Sequence, residues 1–410
     1  MTNRRKFIQN IAIGGVSLPA WVHLDRYNSY WDPENWSEIK GQFPIAHSEL
    51  LNLNSGSAGS MPQQVLKTYL EETKKFNTQP LYNEKSSRME EFQNALARLA
   101  DFMHCSAANL AITKNTTESL NTIIWGLPMQ RWDNIVIADA DYAYVQTALD
   151  HRSTKEGFTV KRLKFKPSMI SDQEIVQAYA DAIDPKTKLV VVSMITPREG
   201  QLMPTKEIIN LAHERGVEVL VDGAHALGQC DVSIKDLDCD YFAGCVHKWL
   251  NGPHGLGVLY VKQDHIEKLD PPMFPFAKSH DDQMIKYTYS GTIGFQKIFT
   301  LNAVMDFNEK IDLKKKIKRL RYLSQYWQNG IKDVPGISIP TDPERNIALG
   351  GFAINNRTSG DFLKLMRDKY QINIKKTGYS DLSFYRISTN LFTDEQDLDK
   401  FTAAVEMEAH

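Results

Sequence analysis

Short apolar runs in which hydrophobic residues do not alternate with polar ones recur along the middle of the chain, and they restrict its fold more than any other feature. They occupy residues 134–138, 188–193, 217–222, 241–243 and 257–261. A strand without alternation is typically covered on both faces. Stretches with helical periodicity lie between the runs, as at residues 175–182 and 205–212. Strands that alternate with helices predict an α/β domain with a mostly parallel sheet.

The same patterns divide the chain into segments. Residues 308–328 are predicted to form one long charged helix, and their basic stretch at 313–319 is typical of a solvated helix face. Shorter apolar runs at 348–354 and 385–388 predict a smaller α+β C-terminal domain. The predicted organisation is a signal segment at 1–25, an N-terminal arm of the small domain at 26–61, the large domain at 62–296 and the small domain at 297–410.

Composition excludes several classes of protein. The 410 residues include 48 basic and 50 acidic side chains, a net charge of −2, so no basic field exists to attract nucleic acid. Beyond the N-terminus, no apolar stretch approaches the roughly 18 residues of a membrane span. The four cysteines form no C-x-x-C pair and are expected to be small buried hydrophobes, although Cys230 and Cys239 could pair in an oxidising compartment. No metal site is predicted.

The first residues resemble an export signal. Arg4 and Arg5 precede a Lys-Phe-Ile sequence and a short apolar run, which matches the twin-arginine type. An ordinary basic N-terminus leading into an amphipathic helix is the alternative, and the site of cleavage stays open. The resemblance implies a bacterial periplasmic or exported protein that folds around its cofactor before export.

Ligands of open α/β sheets bind beyond the carboxyl ends of the strands, which directs attention to two sequences. Residues 217–222 end in Asp222, and His225 follows closely, although this pair alone is also consistent with a metal site or a structural turn. After the run at 241–243, Lys248 stands between an imidazole and an indole and leads into a glycine-rich turn. A lysine beside hydrophobic walls loses proton affinity, which a Schiff-base lysine requires.

A third sequence has the properties of a phosphate site. Thr116 and Thr117 stand at the predicted start of a helix over residues 118–126, where free N–H groups and the helix dipole attract an anion. The alternative, that one of these threonines only caps the helix, is compatible with phosphate binding. A phosphate site, an acid for a ring nitrogen, an imidazole and a lysine for an aldehyde together predict pyridoxal 5'-phosphate as the cofactor.

These residues resemble the aminotransferase class V family, which includes cysteine desulfurases, kynureninases, serine–glyoxylate aminotransferases and isopenicillin N epimerases. The resemblance implies the fold type I architecture of pyridoxal-phosphate enzymes, and it covers nearly all of the chain after the signal. The motifs that carry it lie at residues 51–56, 115–117, 200–204, 219–228, 247–257, 289–292 and 386–388.

The resemblance implies a role for each site residue. Lys248 forms the Schiff base and moves the α-proton, Asp222 pairs with the pyridinium, and His225 lies beside the phenolic oxygen. Thr292 reaches the phosphate of the other subunit, which implies a homodimer. The remaining implied contacts are the phosphate with Thr116, Thr117 and His247, the ring with Tyr142, and the substrate carboxylate with Asn54 and Arg386. A core tyrosine and a surface arginine are the alternatives for Tyr142 and Arg386.

The reaction is narrowed but not fixed. Cysteine desulfurases need a mobile nucleophilic cysteine in the C-terminal domain, and this chain has none after Cys245. The chain is most similar to the isopenicillin N epimerase branch, so we expect chemistry at the α-carbon of an amino acid or an amino-acid-derived metabolite. An aminotransferase or a C–S or C–N lyase is the alternative, and a catalytically idle binding protein of the same fold is another.

Overall fold

The structure is a computed structural model that describes residues 31–79, 86–165, 171–273, 282–288, 291, 293–355, 359–379 and 382–409. Two predictions, the export signal and the role of Thr292, lie outside these residues. Within them, no helix has both the length and the apolar character needed to cross a membrane. The predicted domain boundaries stay predictions.

Strands and helices alternate over most of the described chain. The strands are β1 Leu51–Asn52, β2 Leu110–Thr113, β3 Asn134–Ala138, β4 Thr159–Leu163, β5 Thr187–Ser193, β6 Glu218–Asp222, β7 Tyr241–Cys245, β8 Gly257–Val261, β9 Ile337–Ser338, β10 Leu349–Ile354, β11 Ile372–Asn373, β12 Lys375–Tyr379 and β13 Leu382–Ser388. The helices are α1 Trp36–Gly41, α2 Gln63–Thr78, α3 Ser86–Phe102, α4 Thr116–Gly126, α5 Ala143–Glu156, α6 Asp172–Ala182, α7 Thr205–Glu214, α8 Ile234–Leu237, α9 Ile285–Thr288, α10 Phe295–Phe299, α11 Leu301–Ile311, α12 Leu313–Ile331, α13 Ser359–Asp368 and α14 Glu395–Glu408.

Strands β2 to β8 form the central sheet, in the order β2-β8-β7-β6-β5-β3-β4. Strand β8 runs antiparallel to both of its neighbours, and the other pairings are parallel. The prediction of a mostly parallel α/β sheet is therefore confirmed, and the predicted strands correspond to β3, β5, β6, β7 and β8. Because the parallel strands end at one edge, their terminal residues meet there.

Packing on both faces of the central sheet explains why its strands lack alternation. Val190 and Val192 of β5 belong to one buried hydrophobic cluster, whereas Leu189 and Val191 belong to another. Successive side chains of a strand point to opposite faces, so one strand contributes to two cores. Each such buried aliphatic side chain contributes about 1.5–3 kcal/mol to folding.

A second, antiparallel sheet has the order β12-β13-β10-β9 and packs on α12 and α14. Trp327, Phe352 and Phe401 join these elements in a third buried cluster. Strand β1 pairs with β11, and Asn54 forms an isolated bridge with Ser388 at the end of β13. The N-terminal segment is thereby held beside β13, and the predicted strands near residues 350 and 386 are confirmed as β10 and β13.

The prediction of one helix over residues 308–328 is wrong. Asp312 has a φ of 70°, which separates α11 from α12 because this left-handed conformation cannot continue a helix. The basic stretch of α12 is also more than a solvated face. Lys316 is buried, and Arg319 forms an ion pair with Glu395 at 2.6 Å.

Candidate active site

Asp222 lies at the carboxyl end of β6, where the binding of ligands beyond strand ends in open α/β sheets predicts a ligand-binding residue. Its Oδ1 accepts a hydrogen bond from Ala224 N at 2.9 Å. The carboxylate is buried, and burial raises its pKa, although the Ala224 N–H and the charge of Lys248 act in the opposite direction. A buried carboxylate is stabilised by a cationic partner. Asp222 is therefore suited to pair with a positively charged group of a ligand.

Lys248 and His225 meet beside this carboxylate. Lys248 Nζ lies 3.3 Å from His225 Nε2, and His225 Nδ1 is buried without a hydrogen-bond partner among the described residues. Desolvation lowers the pKa of Lys248, and burial followed by the charge of Lys248 lowers the pKa of His225 well below its usual value. The imidazole is therefore uncharged at neutral pH, and the lysine gives up its proton more readily than an exposed lysine does. The unprotonated amine is the form that attacks a carbonyl.

The backbone at Lys248 is held by close contacts with the N-terminal segment. Gly59 N donates a hydrogen bond to His247 O at 2.8 Å. A Cβ at Gly59 would lie only 2.1 Å from Lys248 O, so the close approach requires glycine. Asn390 Nδ2 also donates to Lys248 O, at 3.4 Å. These contacts fix the turn from which the lysine side chain extends.

Side chains from α11 and α12 fix the residues that follow Lys248. Lys316 Nζ donates hydrogen bonds to Trp249 O and to Asn308 Oδ1, the second at 2.8 Å. Asn308 Nδ2 donates to Leu250 O at 2.9 Å. Burial lowers the pKa of Lys316 to about 7. Asn308 and Lys316, which lie on either side of the break between the two helices, therefore stabilise the backbone that follows Lys248.

Replacing Lys316 with methionine should change how the free energy of unfolding depends on pH. The pKa of Lys316 is about 7 in the folded protein and near 10.5 when the lysine is exposed, so the unfolded chain binds more protons between these values. Stability conferred by the wild-type lysine therefore rises with pH across this window, by roughly 1 kcal/mol per pH unit relative to Lys316→Met. Urea unfolding at several pH values measures the difference, with exposed Lys314→Met as the control. Parallel pH curves for all three proteins would contradict it.

The start of α4 differs from its prediction in two respects. Asn115, not Thr116 or Thr117, caps this helix, because the Asn115 side chain accepts a hydrogen bond from Glu118 N at 2.9 Å. The helix begins at Thr116 rather than at Glu118. Thr116 Oγ1 is buried and makes no hydrogen bond to nitrogen or oxygen of the described residues. A helix N-terminus with a hydroxyl that lines a cavity is suited to bind an anion.

Two further predicted phosphate contacts lie on the same cavity. Thr117 is exposed and His247 is partly buried, and both line the cavity beside Thr116. Burial lowers the pKa of His247 to about 4, so its imidazole is neutral and contributes a hydrogen bond rather than a charge.

Arg386 extends from β13 into the cavity and is 3% exposed, so the alternative of a surface arginine is wrong. Its Nη1 donates to Pro197 O at 2.7 Å, and its Nη2 donates to Asn54 Oδ1 at 3.3 Å and Ser57 Oγ at 3.2 Å. Its Nε is buried without a partner among the described residues. Desolvation lowers the pKa of Arg386 to about 10, so the group remains a cation at neutral pH. A buried guanidinium whose hydrogen-bond partners are all neutral is suited to bind a carboxylate.

The start of α5 contributes one predicted and one unpredicted residue. Tyr142 is half-buried and lines the cavity, so it is not a core tyrosine. Asp141, beside it, is buried, and its two carboxylate oxygens accept hydrogen bonds from Ala138 N and Ser193 N, both at 3.0 Å. Burial raises the pKa of Asp141 to about 7. Its hydrogen bonds tie the ends of β3 and β5 together beneath the site.

The cavity has a volume of about 430 Å³ and brings together nearly all of the predicted site. Asn54 reaches it through its bond to Arg386, and Thr292 lies outside the described residues. Residues that the sequence did not indicate also line it: Ser57, Ser193, Pro197, Cys245, His254 and Lys375. Ser193 ends a predicted strand, so its position at a strand end could have identified it as a candidate lining residue.

The donors and acceptors of this cavity fit pyridoxal 5'-phosphate. The N-terminus of α4 and the Thr116 hydroxyl, which makes no hydrogen bond to nitrogen or oxygen of the described residues, suit a phosphate, and the buried Asp222 suits a protonated ring nitrogen. His225, whose Nδ1 has no partner among the described residues, is suited to a phenolic oxygen, and Lys248 is suited to an aldehyde. The fold and the site together define a pyridoxal-phosphate-dependent protein of fold type I.

Comparison with known proteins gives the family. The family model described as Aminotransferase class-V matches residues 51–401. The chain therefore belongs to the aminotransferase class-V family, and its cofactor is pyridoxal 5'-phosphate.

Relatives within the family have different reactions. Isopenicillin N epimerase of Streptomyces clavuligerus is 24% identical over 394 residues, which are 91% of this chain and 98% of the relative. A probable cysteine desulfurase of Methanothermobacter thermautotrophicus is 24% identical over 349 residues, 82% of this chain and 86% of the relative. The solved cysteine desulfurase CsdA of Escherichia coli has a TM-score of 0.80 at 19% identity and covers 93% of this chain and 98% of its own. The cystine C-S lyase C-DES, solved with cysteine persulfide, has the same TM-score and sequence identity, and the match covers 89% of this chain and 99% of C-DES.

Proposed function

We propose that this enzyme acts at the α-carbon of an amino acid or an amino-acid-derived metabolite, with chemistry like that of the isopenicillin N epimerases. The observation that carries the proposal is that Lys248, Asp222 and Arg386 all face one cavity. A protein that kept the fold only for binding or as a scaffold would not need a desolvated lysine, a buried carboxylate and a buried guanidinium together.

Each side chain has a definite task in this proposal. When bound, the cofactor supplies an electron sink for the substrate's α-carbon. Asp222 holds a proton at the ring nitrogen, and Thr116, Thr117 and His247 hold the phosphate. Lys248 Nζ, whose pKa is lowered by desolvation, accepts the α-proton and returns it.

Arg386 orients the substrate. Its guanidinium is fixed by Asn54, Ser57 and Pro197, so binding a carboxylate costs little side-chain ordering. A two-pronged bond to the α-carboxylate would then hold the α-carbon near Lys248. Tyr142 faces the same cavity, where we assign it to stacking on the cofactor ring.

We further propose that the enzyme is not a cysteine desulfurase. All four cysteines are free, and Cys230, Cys239 and Cys245 are buried. Burial raises the pKa of Cys230 and of Cys105 to about 12, so neither forms a reactive thiolate at neutral pH. Cys245 lines the cavity, but it ends strand β7, and burial raises its pKa too.

With L-cysteine as the substrate, we expect no persulfide on the protein. A desulfurase transfers the sulfur to a thiolate, whereas burial keeps the described thiols protonated and the thiols of Cys230, Cys239 and Cys245 lie in the core. Intact-protein mass spectrometry before and after dithiothreitol would detect the added sulfur. A persulfide that disappears in Cys245→Ser would refute this proposal and make Cys245 the sulfur acceptor.

The experiment that tests the proposed function uses the purified holoenzyme. Its visible absorbance should bleach with borohydride, and peptide mapping should place the reduced cofactor on Lys248. Individual L-amino acids in deuterated water would then be followed by NMR and chiral chromatography. Deuterium at the α-carbon with inversion supports an epimerase, keto-acid formation an aminotransferase, and elimination products a lyase. A protein that stays colourless with added pyridoxal phosphate would instead be an idle member of the fold.

Two further proposals rest on the sequence. We propose export through the twin-arginine pathway, on the strength of Arg4 and Arg5, and a homodimer in which Thr292 reaches the partner's phosphate site. Cell fractionation of the full chain beside an Arg4,Arg5→Lys variant tests the first. Light scattering of the purified protein measures whether it is a dimer. The cofactor affinity of Thr292→Ala, compared with that of the wild type, tests whether Thr292 reaches the phosphate site.

A further inference from the structure

Two cations face each other across neighbouring strands at the substrate side of the cavity. Lys375 of β12 is paired directly with Arg386 of β13 in the antiparallel register, and both side chains line the cavity. Like charges directly opposite each other in a sheet destabilise it. Neither residue forms an ion pair with a carboxylate among the described residues. The pair therefore has an electrostatic cost that an anionic ligand would relieve.

The surroundings of Lys375 show that its charge is directed at the cavity. The side chain is half-buried, and its Nζ makes one long contact among the described residues, with Ser57 Oγ at 3.5 Å. Desolvation, then Arg386 and then Lys248, lower its pKa. Neighbouring Lys376, whose side chain alternates to the other face of the strand, is exposed. Only one of these two adjacent lysines is thus available to a ligand in the cavity.

The charges along the cavity wall point the same way. Lys248, Lys375 and Arg386 are cationic groups, whereas Asp222 is the one carboxylate among the described lining residues. Lys248 is assigned to the cofactor's aldehyde and Asp222 to its ring nitrogen. Arg386 alone is sufficient for an α-carboxylate, since a guanidinium binds a carboxylate with two parallel bonds. Lys375 is then left with a positive charge and no carboxylate partner among the described residues.

We propose that Lys375 binds a second acidic group of the substrate, so that the enzyme prefers amino acids or amino-acid derivatives that carry an acid besides the α-carboxylate. This inference rests on the proposed function, because it takes Arg386 as the α-carboxylate site. A four-carbon stem allows the Lys375 ammonium to reach a position apart from the guanidinium. Lys375 is a specificity-determining residue in this scheme, and it takes no part in proton transfer.

The test compares ligands that differ only in one charge. The change in the visible spectrum of the holoenzyme on titration gives a Kd for each amino acid. The Kd of L-glutamate is compared with that of L-glutamine, and the Kd of L-aspartate with that of L-asparagine. We expect the wild type to bind the acidic member of at least one pair more tightly. Lys375→Gln should weaken that acidic ligand by about 10- to 100-fold, as expected for a hydrogen bond to a charged group, and change the amide ligand less than about twofold.

Three controls give the result its meaning. Lys376→Gln should behave like the wild type, and Lys375→Arg should keep the preference for the acidic ligand. The melting temperature of Lys375→Gln without amino acid should be equal or higher, because one of two opposed like charges is removed. Equal weakening of acidic and amide ligands, or no change for either, would overturn the inference. A holoenzyme whose spectrum responds to no amino acid would instead count against the proposed function itself.

Discussion

Replacing Lys248 with alanine should lower the rate of α-proton exchange by roughly 10⁴-fold, the upper range for removal of a general acid–base group. Lys248 Nζ lies in the cavity, 3.3 Å from His225 Nε2, and desolvation lowers its pKa. The neutral imidazole of His225 is no substitute, since its own pKa is well below the usual value. NMR in deuterated water measures the exchange, and absorbance shows whether the cofactor is still linked.

The matched control for Lys248→Ala is Lys67→Ala, which removes an exposed lysine from α2. We expect this control to keep wild-type exchange and wild-type absorbance. Without cofactor, Lys248→Ala should melt at an equal or higher temperature than the wild type, because a desolvated amine is removed. Small primary amines added to the solution should restore part of its exchange rate by entering the space that the side chain leaves. Undiminished exchange in Lys248→Ala would mean that another group moves the proton.

The sequence predicted the main residues of the candidate site because they follow strands whose pattern is unambiguous. Strands β5 and β6 are apolar on both faces, so their ends are visible in the sequence, and Asp222 stands at one of them. Lys248 follows β7 in the same way. Parallel strands of one sheet end at the same edge. The positions of the strand ends in the sequence were therefore sufficient to predict that these residues lie close together.

The sequence did not predict features whose pattern of apolar and polar residues is ambiguous. Strand β4 at the edge of the central sheet contains Lys161 and Arg162 and is only partly buried, so it lacks an apolar run. The break at Asp312 has no glycine or proline to mark it, and the left-handed conformation there is rare for other residues. Both features are decided by tertiary packing rather than by local preference.

Two lysines show why charge patterns alone mislead. Lys316 lies in a run of basic residues, yet it is buried and donates to the backbone that follows Lys248. Lys375 and Lys376 are adjacent and chemically identical, but only Lys375 lines the cavity. The sheet register that pairs Lys375 with Arg386 depends on the folded C-terminal sheet, which no local sequence signal specifies.

Replacing Asp222 with asparagine should lower α-proton exchange by roughly 10³-fold, within the range for loss of one preorganised electrostatic group. The amide is similar in shape, and its oxygen can still accept the hydrogen bond that Asp222 Oδ1 receives from Ala224 N. What is lost is the negative charge that holds a proton at the ring nitrogen. Steady-state exchange rates at saturating cofactor measure the effect, and Asp222→Glu should retain more exchange than Asp222→Asn because it keeps the charge.

The pH dependence of cofactor affinity separates this electrostatic role from a structural one. Burial raises the pKa of Asp222, so wild-type affinity should fall as the pH decreases and the carboxyl group takes up a proton. Asp222→Asn has no such group and should lack this part of the loss, although it binds more weakly at neutral pH. The cofactor phosphate titrates in both proteins, so the difference between their curves isolates Asp222. Identical pH curves, with exchange unchanged in the variant, would mean that Asp222 supports only the fold of this strand end.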